Sequence, residues 1–100
     1  LQEFSSIFLR ELPSRRQAIT DALAGEDRAV LRERAHALRS PSRALGLARL
    51  DEVCERIERT AIKGSIDAAR PLQPALIEAC ELTASALRGL TAELTALART

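Results

Sequence analysis

His36 is the only histidine in the chain, and it shares one helical face with small residues and cations. A helix advances about 100° per residue, which puts Leu38 about 160° and Leu31 about 140° around the axis from His36. Those two, with Ala35, form the natural buried stripe. Ala29, Arg32, Glu33, Arg39, Ser40 and Arg43 all fall within about 60° of the histidine on a straight helix. The spacing therefore predicts an exposed imidazole with positive charge around it. A lone helical histidine is commonly an ordinary solvated side chain. It can also do chemistry, because neutral imidazole offers a nucleophilic ring nitrogen near neutral pH. Glu33, one turn earlier, is a candidate to orient the ring through its other nitrogen. For each of the three arginines a plain solvated helix face is an equal alternative.

The elements that must position this face are helical throughout. Phe4, Ile7, Phe8, Leu12, Ile19 and Leu23 form one apolar stripe over the first segment, from Leu1 to about Ala24. Pro13 lies inside that run, lacks an N–H and crowds the carbonyl four residues back, so a kink or split is expected there. Gly25 is a stop, and Asp27 an N-cap for the histidine helix. Arg34 falls near the centre of that helix's core face. Its stem can lie along the core with its head in water, or it can pair with a buried carboxylate. Pro41 is expected to end or kink the helix near Ser40. Ser42 could cap the third helix, and Gly46 would allow backbones to approach closely. That helix then runs to about Lys63 on the stripe Leu47, Leu50, Cys54, Ile57 and Ala61, with Gly64 as its stop. A fourth begins near Ser65 or Asp67, with Pro71 and Pro74 in its first turns. Its seam, Leu76, Cys80, Thr83, Leu87, Leu90, Leu94 and Leu97, alternates spacings of four and three. The fold class expected is all-α: an antiparallel four-helix bundle with a kinked or split first helix, formed by residues 1–100 as a single domain.

Composition narrows the function classes. The formal net charge of +1 supplies no strong field to select a nucleic acid or a membrane surface. With 2 Phe and no Trp or Tyr there is no platform on which single-stranded bases could stack. No apolar run approaches the roughly 18 residues of a membrane span, and no signal-peptide pattern opens the chain. Cys54 and Cys80 are too few and too far apart for a zinc site and read as buried reduced thiols, with a disulfide open only if their helices face each other. The chain opens on Leu1 rather than methionine, which suggests a fragment of a longer protein.

Ala35, His36, Leu38, Arg39, Ser42 and Gly46 stand at the spacing of the motif A-H-x-L-K-G-x-S-x-x-x-G, and in this the chain resembles histidine-containing phosphotransfer (HPt) domains. Two positions depart: Arg39 stands where lysine is usual and Ser40 where glycine is common. Arginine keeps the charge but changes its shape. Weaker likenesses extend over about residues 4 to 88. The resemblance implies a phosphorelay in a two-component system. His36 would take a phosphoryl group from a receiver-domain aspartate and pass it to another, without stand-alone catalysis. It implies phosphoryl or charge support from Arg39, a hydrogen bond or an approach site at Ser40, and a receiver-docking face that includes Arg32, Arg43 and Ala29. No cofactor or metal is expected in this domain, while Mg²⁺ is expected on the partner receiver. The expected setting is a cytoplasmic domain, monomeric when isolated, tethered to the inner membrane if its parent is a hybrid sensor histidine kinase. Two alternatives stand beside this reading. One is a non-catalytic receiver-docking bundle. The other is a sensor kinase dimerisation domain, since His36-Ala37-Leu38-Arg39-Ser40-Pro41 is similar to the kinase H-box. In that box the residue after the histidine is an acid that assists attack on ATP, and Ala37 cannot do this.

Overall fold

A computed structural model describes residues 2–99 and shows four long helices joined by short connections. Leu1, the expected start of the first segment, lies outside the described residues. Helices α1 (Gln2–Ala24), α2 (Arg28–Ala44), α3 (Ala48–Lys63) and α5 (Gln73–Arg99) make the bundle, and the short α4 (Ile66–Ala69) leads into a 3-10 turn (Arg70–Leu72) before α5. Four long helices in one chain fit the bundle rather than the two-helix hairpin of a kinase dimerisation domain. The core is continuous across all of them: Phe8, Leu12, Ile19, Leu23, Leu31, Leu38, Leu50, Ile57 and Leu76 are each at most 2% exposed. No helix among the described residues is long and apolar enough to cross a membrane.

Several sequence-level expectations need correction. Of the kink or split expected at Pro13, the split is absent: α1 runs through Pro13 without a break. Nor does α2 end at Ser40, because it continues through Pro41 to Ala44. One compensating contact comes from another helix. Pro41 leaves the Ala37 carbonyl without its intrahelical donor, and Nη1 of Arg15, on α1, donates to that carbonyl at 3.4 Å. Ser42 consequently sits inside α2, fully buried, with its Oγ donating to the Leu38 carbonyl at 2.6 Å.

Helix α2 closes just past Ser42. The Leu47 N–H donates to the Ser42 carbonyl at 2.8 Å and the Gly46 N–H to the Arg43 carbonyl at 3.1 Å. That pair of bonds is a Schellman closure. It requires the left-handed conformation that Gly46 adopts at φ 70°. Close backbone approach is not the reason for this glycine, since a Cβ there would meet nothing within 4 Å.

Other boundaries follow the sequence. The Asp27 carboxylate accepts from the Ala29 and Val30 N–H groups at 3.0 and 3.2 Å, and Ser65 caps α4 through the Ala68 N–H at 3.3 Å. The single fourth helix expected from the sequence is three pieces, with Pro71 in the 3-10 turn and Pro74 in the first turn of α5. Arg70 ties this corner down, its Nε donating to the Leu23 carbonyl at 2.9 Å.

The α5 seam is buried at Leu76, Cys80, Thr83 and Leu87 but not beyond, with Leu90 45% and Leu97 70% exposed. Helix lengths explain it. At about 1.5 Å per residue, the 27 residues of α5 span about 40 Å and the 16 of α3 about 24 Å. The last turns of α5 therefore outrun α3. Cys54 and Cys80 are buried free thiols, which burial pushes up to pKa values of about 12 and about 11.

Candidate functional site

His36 stands on α2 with its side chain 70% exposed, while Leu31, Ala35 and Leu38 on the opposite face are at most 1% exposed. The imidazole is exposed but not loose. Its Nδ1 lies 2.8 Å from Oε2 of Glu58, on α3. The other Glu58 oxygen, Oε1, accepts from Nη1 of Arg39 at 2.9 Å. Arg39 in turn donates through Nε to Asp51 Oδ1 at 3.0 Å, and its Nη2 lies 3.9 Å from Glu55 Oε2. Arg43 completes the row, donating through Nε to Asp51 Oδ2 at 3.1 Å.

Helix register explains why these groups meet. On α2 the row is His36, Arg39 and Arg43, and on the antiparallel α3 it is Glu58, Glu55 and Asp51. Each turn forward along one helix is a turn back along the other, so side chains three and four residues apart stack into a ladder. The bonds at its centre are charge-assisted.

The electrostatics fix the ring's tautomer. Burial pushes the Glu58 carboxyl upward, but hydrogen bonds from Arg39 and His36 outweigh it and hold the group below its ordinary value. Glu58 is therefore ionised near neutral pH, and an ionised carboxylate can only accept. The hydrogen between the two residues must then belong to Nδ1. In the neutral ring the lone pair that remains free is on Nε2. The Arg39 guanidinium is pushed up by its hydrogen bonds to Glu58 and Asp51, and so stays charged.

The sequence-predicted site residues fall into two groups. Arg39 and Arg43 join the carboxylate ladder, and the Arg39 side chain is only 16% exposed. Its guanidinium meets carboxylates, not open solvent. Ala29, Arg32 and Ser40 are exposed on the face of His36. Ala29, Arg32 and Glu33 line with His36 an open groove of about 370 Å³. Glu33 does not orient the ring; Glu58 does. Arg34 is exposed, lining a groove between α1 and α2 with Ala18, Asp21 and Val30.

Sequence reasoning missed Asp51 and Glu58. The available signal was their spacing with Glu55, at steps of four and three, opposite a cationic row of matching steps. No group of His, Cys, Asp and Glu among the described residues could hold a metal ion.

Against known proteins, residues 3–100 match the family model described as Hpt domain. The searches of curated proteins and of solved structures returned no match.

Proposed function

We propose, because this chain belongs to the Hpt domain family, that His36 is the residue on which its phosphoryl traffic runs. Hpt domains serve histidine phosphotransfer in two-component signalling and work with receiver domains. The observation that supports His36 as the acceptor is its hydrogen bond to Glu58. One ring nitrogen is occupied on the protein side, and the other faces solvent with its lone pair free.

In this reading Nε2 attacks the phosphorus of a receiver's aspartyl phosphate. The Nε2–P bond forms as the P–O bond to the aspartate breaks, and the bonding electrons return to the aspartate carboxylate. The imidazole becomes a positively charged N-phosphoimidazolium. Its Nδ1–H already points at an anion, so Glu58 stabilises the charge as it develops and no proton has to move. The reverse sequence delivers the group to a second receiver aspartate. Phosphoryl transfer depends chiefly on in-line positioning and charge stabilisation. A rigid, exposed imidazole is therefore a sufficient contribution from this side.

Arg39 then acts by holding Glu58, with Arg43 and Asp51 securing Arg39 in turn. Ser40, one turn beyond the ring, lies where a docked receiver must approach, and Ala29 is small enough to admit it. The divalent cation belongs with the receiver's acidic pocket. The domain is proposed to be cytoplasmic, monomeric when isolated, and part of a hybrid sensor kinase.

Mixing the domain with a radiolabelled phosphoreceiver tests this. Label should pass to the wild-type domain and not to His36→Gln. Equal labelling of that variant would refute the assignment. Glu58→Gln should slow transfer by about tenfold or more, the worth of one charge-assisted hydrogen bond.

A further inference from the structure

We infer that Arg32, not Arg39, is the cation that meets the phosphoryl group on His36, an inference that rests on His36 being the acceptor.

The ladder between α2 and α3 leaves one cation over. Stepping one turn back from His36 along α2 reaches Arg32. The matching step along α3, one turn beyond Glu58, reaches Ile62, which is apolar and 55% exposed. The acidic row ends at Glu58, and Arg32 makes no hydrogen bond or ion pair with any described residue. Arg39 is in the opposite position, with both its edges occupied by Glu58 and Asp51. Freeing it for a phosphoryl group would strip Glu58 of its partner at the moment Glu58 has to stabilise the phosphorylated ring.

The direction of the side chain agrees. Side chains on a helix lean toward its N-terminus, so a residue covers the turn before its own Cα. The imidazole of His36 therefore lies over the turn that carries Arg32 and Glu33, and these two line the groove beside it with Ala29. With Nδ1 held by Glu58 on α3, Nε2 projects outward over that groove, and a phosphoryl group there stands within reach of long side chains rooted in it. It meets one free cation, Arg32, and one free anion, Glu33. They lie on opposite sides of the ring, about 40° and 60° around the helix axis from His36, with Arg32 on the side of α3. The two oppose each other electrostatically, and Arg32 can also donate two parallel hydrogen bonds to the phosphoryl oxygens.

Phosphorus NMR on the phosphorylated domain tests this without a receiver. His36 is phosphorylated with phosphoramidate, and the second ionisation of the phosphoryl group is followed by its chemical shift against pH. Removing a neighbouring positive charge at contact range should raise that ionisation by roughly half a unit. Arg32→Ala should show the rise and Arg32→Lys most of the wild-type value. Arg34→Ala, on the opposite side of α2, should leave it nearly unchanged, and Glu33→Gln should lower it. A role limited to steering receivers would move none of these values. An unchanged ionisation in Arg32→Ala, or an equal rise in Arg34→Ala, would overturn the assignment of Arg32. A wild-type domain that takes no phosphoryl group at His36 would overturn the acceptor reading instead, and this assignment with it.

Discussion

The α2–α3 pair and the α1–α5 pair solve the same packing problem to different standards. Between α2 and α3, a buried seam of Leu31, Ala35, Leu38, Leu50, Cys54 and Ile57 is flanked by the ladder from His36 to Asp51. Between α1 and α5, the seam is buried through Phe8, Leu12, Cys80 and Leu87, then runs on past its partners with Phe4, Ile7 and Leu90 about 40% exposed. The first pair carries the imidazole and fixes it to within one hydrogen bond. The second supplies core and tolerates a ragged end. Precision is concentrated around the exposed imidazole, the group that the proposed transfer would present to a receiver domain.

The largest difference should come from the shared core beneath the site. Leu50 is fully buried, so Leu50→Ala should cost about 2–5 kcal/mol of stability in a denaturant titration. Next in size is the ladder. Arg39→Met keeps the aliphatic bulk but leaves Glu58 and Asp51 without their shared donor. A loss of about 1–3 kcal/mol is expected, with His36 ring signals shifting in NMR while Cys54 stays protected. A silent Arg39→Met would place the ladder's rigidity elsewhere.

The ladder also has a pH signature. The Glu58 carboxyl is held below its ordinary value of 4.5, so its contribution is complete above that pH. It disappears as the pH falls through the lower, folded-state value. Wild-type stability should therefore drop more steeply below about pH 4.5 than that of Glu58→Gln. Parallel acid profiles would show that Glu58 gains nothing from its partners. The smallest effect belongs to the overrun. Leu90 is 45% exposed, and Leu90→Ala should stay within about 0.5 kcal/mol of wild type.

The same contrast marks how much could be read from the chain alone. Periodicity placed His36 opposite Leu31 and Leu38, and cap chemistry located Asp27 and narrowed the next cap to Ser65 or Asp67, because each depends on neighbours within one helix. Pro41 misled because the packing that carries α2 through it is tertiary, including Arg15 on α1, which donates to the Ala37 carbonyl left open. The buried length of the α5 seam depended on how long its partners are. Glu58 was the largest omission: a glutamate on a helix face acquires a role only when the register of α3 against α2 is known. That register is a tertiary quantity, absent from any single helix's pattern.

The held imidazole is most directly tested by which ring nitrogen takes the proposed phosphoryl group. The domain is phosphorylated, digested, and its phosphohistidine resolved into the two ring isomers. With Nδ1 engaged by Glu58, the phosphate should be on Nε2, and on Nε2 alone. Phosphate on Nδ1 would contradict the hydrogen bond on which the site is built.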